Sequence, residues 1–488
     1  MSVENLVRLV HGSREGTWTE GNRLCFDSLF GEPGGRYPKT GRKQLELRAP
    51  EMNPDSGVPF AAYIHPSNAK SGAYSGLSFA IFPVDARPCL VTLVIGTAGL
   101  SPDEAVLGRA GHARKVQAIC EWLNREFGQG EQVAWAKHDP TRTDIEIPVE
   151  LRTRWSEYKP VFDRYGTVIY GLFRPGTDTR ATQAAIAAFL DLVLQERGYS
   201  PIAKYKRESE DYQSRYLDYL MPSAGLDDVR ELLESRRFVI LQGPPGTGKT
   251  RMCQLLRDAY GGFGKTVQFH ANTTYENFVG GLAPIHSHND VGLQFAPKAG
   301  FLMEAAAEAL TNPLRPYLFH IDEINRADLG KVLGEALYLL EIDGTKRAID
   351  LPYYFGEPFG RALYLPDNLQ IVGTMNSADR SIAIVDVAVR RRFAFLSLWP
   401  QASVVKHYGG EIMQDAYQRL NSIFVEHATE DSLQLVPGHS YFLEKDDIRA
   451  KRSLNTSLAP LLDEYLAQGY VSAFSEQIRN YLQWLRSL

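Results

Sequence analysis

Residues Gly243 to Thr250 read GPPGTGKT and follow the apolar run Phe238, Val239, Ile240, Leu241 after a single intervening residue. A buried strand that runs straight into a glycine-rich loop and then a helix leaves few folds open. Gly246 and Gly248 let the backbone curl so that successive N–H groups converge. The helix beginning near Lys249 sets the positive end of its dipole at the same place. Such a cradle suits a polyphosphate: Gly243, Pro244, Pro245, Gly246, Thr247 and Gly248 form the loop, and Lys249 adds a point charge to the β- and γ-phosphates. Thr250 offers a hydroxyl to Mg²⁺. The pattern predicts an α/β fold with a parallel sheet and this loop at its edge.

A second strand-like run, Tyr317, Leu318, Phe319, His320, Ile321, ends in Asp322 and Glu323. Two acids at a strand exit are common; two acids downstream of a phosphate loop are not. In that order Asp322 is placed to hold Mg²⁺, and Glu323 to orient or deprotonate the attacking water. The run Leu369, Gln370, Ile371, Val372, Gly373, Thr374 predicts a further strand, which delivers Met375, Asn376, Ser377, Ala378, Asp379, Arg380, Ser381. Asn376 fits a sensor that holds the nucleophilic water against the γ-phosphate. Arg390, Arg391 and Arg392 then stand in a row, costly if buried and unpaired. They serve either as a solvated cap on a helix end or as an arginine finger aimed at a neighbouring subunit's nucleotide.

With IDEINRAD, GTMNSADRSIAIVDVAVRRRF and the later Gly438, His439, Ser440, Tyr441, Phe442, the chain from about Tyr216 onward resembles the McrB family of AAA+ GTPases. That resemblance implies an AAA+ core with a helical C-terminal lid, a hexameric ring, GTP rather than ATP as fuel, and a McrC-like nuclease subunit as partner. It also assigns Asn325 as companion to Glu323, Asn376 as the signature asparagine, Asp379 and Arg380 as residues around the water, and Arg390 or Arg391 as the finger. Ser377 stands where the family commonly has Thr. Guanine preference rests on the resemblance alone, since no [NT]KxD sequence follows the loop. His439 and Tyr441 have two open roles, against the nucleotide or in the core. The other function class that shares these motifs is a MoxR-like or dynein-related ATPase that remodels a protein partner.

At 488 residues with 44% hydrophobic content, the chain is long enough for two or three domains with sizeable cores. The expected division is an α+β N-terminal domain over 1–200, a charged linker over 201–216, the nucleotide-binding domain over 217–400 and a lid over 401–488. Strands are predicted at Phe60 to Ile64, Leu77 to Phe82, Leu90 to Ile95 and Val168 to Phe173. Helices are predicted over Val116 to Phe127 and Thr182 to Leu194. Cys25, Cys89, Cys120 and Cys253 form no CxxC pair, which suits a reduced, cytoplasmic protein. No apolar run reaches the roughly 18 residues a membrane helix needs, so no membrane role is expected.

The N-terminal domain is expected to select the DNA target, as the resemblance implies, yet a net charge of −5 gives no global basic footprint. Its local candidate is Arg36, Lys39, Arg42, Lys43 and Arg48 with Tyr37, preceded by Trp18, Phe26 and Phe30. Such residues grip phosphates and stack bases, or form a solvated loop. The acids Asp139, Asp144, Glu146 and Glu150, the ExK triplet Glu157, Tyr158, Lys159, and His112 and His138 lack the context of a nuclease site. Cutting is expected on another chain.

Overall fold

The computed structural model describes the chain apart from residues 1, 13–22, 32–33, 49–57, 70–71, 85–86, 143, 286–293, 342–344 and 379–386. It divides into two compact units, Met1–Met221 with Val425–Thr429, and Pro222–Phe424 with Glu430–Leu488.

The first unit is built on six strands: β1 (Glu46–Arg48), β2 (Ala61–Ile64), β3 (Leu77–Val84), β4 (Arg87–Ile95), β5 (Ala134–Ala136) and β6 (Ile169–Phe173). They form one antiparallel sheet in the order β1-β2-β3-β4-β6-β5. Every residue of β3 is buried, because alternate side chains enter two different cores. Leu77, Phe79 and Ile81 face one that holds helices α1 (Ser2–Gly12), α2 (Ala110–Phe127) and α3 (Thr179–Gln195). Ala80, Phe82 and Val84 face another with Trp155, Tyr158 and Phe162. Coverage of both faces explains why these strands read as continuous apolar runs rather than alternating ones.

The stretch expected to be a linker is helix. Helix α4 (Ala203–Leu220) belongs to the first unit. Its charges are absorbed locally, with Lys206 and Arg215 paired one turn away to Glu210 and Asp211. Tyr216 is buried and Tyr212, Leu217 and Leu220 pack beside it, at helical spacing that the charged run at 204–211 obscures.

The second unit opens with α5 (Leu226–Arg236) and carries β7 (Phe238–Gly243), α6 (Lys249–Ala259), β8 (Gly264–Gln268), the ribbon β9 (Gly280–Ile285) and β10 (Gln294–Ala299), α7 (Phe301–Leu310), β11 (Tyr317–Asp322), the ribbon β12 (Ala348–Asp350) and β13 (Ala362–Tyr364), β14 (Leu369–Asn376) and β15 (Ala394–Ser397). Its main sheet is wholly parallel in the order β15-β7-β14-β11-β8. Phe238, Ile240, Phe319, Ile321 and Ile371 face one core, and Val239, Leu241, Leu318 and Val372 the other. The residues after β15 are mostly helical and end in α8 (Ser475–Ser487). No described helix is long and apolar enough to cross a membrane.

Candidate nucleotide site

The connection from β7 goes to the far edge strand β8, returns through β11 and β14, and crosses to β15 on the other side of β7. Strand order therefore reverses beside β7, where the C-terminal ends of an open parallel sheet leave a crevice for ligands. Register puts the chemistry there. Asn376 on β14 pairs with Gly243 on β7, and Gly373 pairs with Ile321 on β11, so Thr374 and Asp322 are neighbours at the edge.

The loop has the backbone that its glycines allow: Gly246 and Gly248 lie at φ +80° and +82°, left-handed values where a side chain would be strained. Thr247 Oγ1 donates to Pro244 O at 3.0 Å and tightens the turn. Lys249, only 7% exposed, donates from Nζ to the carbonyls of Gly243 and Pro244 at 2.9 and 2.8 Å. Burial lowers its ammonium to about 8, against the opposing pull of Glu323 and Asp322.

Beside it, Asp322 Oδ1 accepts from Thr374 Oγ1 at 2.5 Å and from Thr250 Oγ1 at 3.2 Å. His320 Nε2 lies 3.7 Å from the same oxygen, and burial holds this imidazole down at about 4, in its neutral form. Glu323 sits at φ 53°, in the left-handed region that a side chain seldom adopts. Strain of about 1–3 kcal/mol at such a position persists only where the surroundings impose it. Here Thr374 Oγ1 accepts the Glu323 N–H at 3.3 Å, Asn376 Nδ2 donates to Glu323 Oε1 at 2.8 Å, and Arg326 Nε lies 3.4 Å from Oε2. Ser377 N–H donates to Gly243 O at 3.1 Å.

The structure thus brings together Lys249, Thr250, Asp322, Glu323 and Asn376. Asn325 follows in a tight turn, buried, with its Oδ1 lacking a hydrogen-bond partner. Arg391 is exposed, and it and Arg392 both reach Glu341 Oε1, at 2.9 and 2.6 Å, while the Arg390 guanidinium lies 5.5 Å over the Phe395 ring. Asp379 and Arg380 lie outside the described residues. Sequence reading missed Thr374, which links both acids, and Arg326; a hydroxyl two residues before Asn376 was the available signal. It also left open the segment Gly438 to Tyr441, which lies on the phosphate loop. Gly438 N–H donates to Pro245 O at 2.9 Å and Ser440 N–H to Gly246 O at 3.0 Å.

A Mg²⁺ ion fits this donor set. Thr250 and Asp322 supply hard oxygens at one point, and such an ion takes its remaining ligands from phosphates and water. No group of three or more His, Cys, Asp or Glu residues that could hold a metal ion occurs among the described residues.

Burial corrects part of the N-terminal basic cluster. Arg36 is 1% exposed. It forms a fork with Asp191 at 2.8 and 2.6 Å and reaches Glu208 at 2.6 Å, and the buried Tyr37 hydroxyl donates to Asp191. Arg36 and Tyr37 tie the segment before β1 to α3 and α4 and have no reach to a nucleic acid. Phe26 is core as well, Arg42 pairs with Asp27, and Trp18 lies outside the described residues; Lys39 and Lys43 remain exposed. Three of the acids weighed for a nuclease site are in ion pairs, Asp144 with Arg142, Glu146 with Arg152, and Glu157 with Arg174, and Asp139 accepts hydrogen bonds from Thr141.

Loop, acids, polar sensor and strand order together define an AAA+ P-loop protein, and residues 238–393 match the family model described as AAA domain (dynein-related subfamily). More particularly, part of the chain is similar to components of restriction enzymes, an McrB subunit among them. It is 34% identical over 285 residues to the type IV methyl-directed restriction enzyme EcoKMcrB subunit of Escherichia coli K12, covering 53% of this chain and 60% of that one. It is 27% identical over 194 residues to the type II restriction enzyme BsuMI component YdiS of Bacillus subtilis 168, covering 32% and 55%. The chain thus matches less than two thirds of the length of either relative.

Proposed function

We propose that this chain is the nucleotide-hydrolysing motor of a DNA-restriction complex, with GTP as its preferred fuel. In this reading the loop Gly243 to Thr250 binds the triphosphate, and Thr250 and Asp322 hold Mg²⁺, which would screen charge on the phosphates. Glu323 accepts the proton of the attacking water while Asn376 fixes the carboxylate's direction. Residues 401–488 act as the lid. Arg390 or Arg391 acts on the nucleotide of a neighbouring copy in a hexameric ring, a size that a mass measurement in the presence of nucleotide tests. A separate nuclease subunit cuts, and the N-terminal unit selects the DNA.

The observation that carries the reading is Glu323, held in a left-handed conformation by Thr374, Asn376 and Arg326 beside a buried lysine. The similarity to two restriction-enzyme components supports the assignment to DNA restriction. Turnover of GTP and ATP by the wild type and by Glu323→Gln, with binding measured in parallel, tests it. The expected result is faster GTP turnover, and a variant that binds but does not turn over. Equal or faster ATP hydrolysis removes the guanine preference. The dynein-related AAA match favours a second reading, ATP-driven remodelling of a protein partner. It gains if ATP is the better fuel and the isolated chain binds no DNA.

A further inference from the structure

His439 lies between the two residues whose backbone N–H groups dock on the phosphate loop, Gly438 on Pro245 O and Ser440 on Gly246 O. Its Nδ1 accepts the backbone N–H of Gln401 at 3.2 Å. A ring nitrogen that accepts carries no proton, so the proton of the neutral ring is on Nε2. That nitrogen stands at the loop: a Cβ built on Gly248 would lie 3.5 Å from it. Nε2 has no protein partner among the described residues.

The nearby protein acceptors are already used. The carbonyls of Gly243 and Pro244 accept from Lys249, Pro244 also from Thr247, and those of Pro245 and Gly246 accept from Gly438 and Ser440. Each of these carbonyls already accepts at least one hydrogen bond, none of them from Nε2, and an acceptor brought by the ligand suits an N–H at this position: a loop of convergent N–H groups brings phosphate oxygens.

We propose that His439 is a nucleotide-contacting residue whose Nε2–H donates to a phosphate oxygen of the triphosphate seated on Gly243 to Thr250. The proposal rests on the reading of that loop as the nucleotide site. It adds a donor from a segment far along the chain, so that the loop and the residues after β15 close on one ligand.

The test uses the full chain and the non-hydrolysable analogues of GTP and ATP with Mg²⁺. His439→Phe keeps a ring and removes the donor; His439→Gln restores an N–H at nearly the same reach. A hydrogen bond to a charged acceptor is worth about a factor of 10 to 100 in binding, so His439→Phe is expected to weaken analogue affinity by that factor while His439→Gln recovers most of it. A ¹⁵N-histidine spectrum of the wild type is expected to show the Nε2-protonated form and a shift of that resonance on adding analogue. Unchanged affinity in a folded His439→Phe variant overturns the proposal. So does a loss that His439→Gln fails to restore, or an Nε2 resonance that the analogue leaves unmoved. Lys249→Ala serves as the separate control: if it too leaves affinity unchanged, the loop reading itself falls.

Discussion

Gly438→Ala is the substitution whose outcome follows most directly from the geometry. A Cβ at Gly438 would lie 2.1 Å from the Gly246 carbonyl carbon, 2.2 Å from its oxygen and 2.5 Å from Thr247 N. Carbon atoms in contact sit about 3.5 Å apart, so two backbones have to part by more than about 1 Å. Neither can rotate out of the way as a side chain would. Forcing a methyl into a packed position costs about 1–3 kcal/mol, and a displacement of roughly 1 Å in a catalytic constellation can cost about 100-fold in rate. The shift falls on Gly246 and Thr247, in the middle of the phosphate cradle. The expected result is a folded protein whose nucleotide affinity and turnover fall at least tenfold, with turnover falling further. Calorimetric binding, steady-state hydrolysis and a melting curve measured together check it. Affinity and turnover both within twofold of wild type would refute the reasoning, since the close approach would then carry no consequence for the loop.

Burial sets the Lys249 ammonium at about 8, and a bound polyphosphate favours its charged form; affinity is therefore full below that value and declines as pH rises through it, and a binding constant flat from pH 7 to 9.5 would contradict this. Lys249→Met removes a desolvated cation, so it is expected to raise the melting temperature at pH 7 while abolishing nucleotide binding, which a thermal scan and a titration decide. His112, buried and bonded to the Tyr170 hydroxyl at 2.9 Å, is lowered to about 4 by desolvation. Its contribution is complete above the unfolded value near 6.5 and is lost as pH falls toward 4, about 1.4 kcal/mol per pH unit; urea titrations of wild type and His112→Gln at pH 7, 5.5 and 4.5 should diverge, and parallel curves would exclude it. Arg391→Ala is expected to lower turnover on the order of 10³-fold, with partial recovery when mixed with Glu323→Gln subunits; confirmed mixed rings without recovery would leave Arg390 as the finger to test.

The parallel sheet was legible because its three central strands are apolar runs that end in chemistry. Phe238 to Leu241 leads into the loop, Tyr317 to Ile321 into Asp322 and Glu323, and Leu369 to Thr374 into Asn376. Helix α4 was not legible, since its pattern is carried by Tyr212, Tyr216, Leu217 and Leu220 beneath a charged run that reads as a linker. Arg36 and Tyr37 misled for a related reason. A basic residue beside an aromatic one reads the same on a surface as in a core, and only Asp191 and Glu208, more than a hundred residues away, turn the pair into an internal brace. The docking of Gly438 on Gly246 has no local signature at all, because it is a contact between two backbones.

Strand β14 ties the two halves of the site together. It lies between β7 and β11, and successive residues at its end reach opposite ways. Thr374 and Asn376 hold Asp322 and Glu323, while the Ser377 N–H holds Gly243 O, the same carbonyl that takes a hydrogen bond from Lys249. Alternation along a strand cannot do this by side chains alone; it needs the backbone of Ser377 to turn toward the loop just as the strand ends. In the proposed reading phosphate grip and water activation are therefore positioned by one element, and a change at Thr374 or Asn376 acts on the acids.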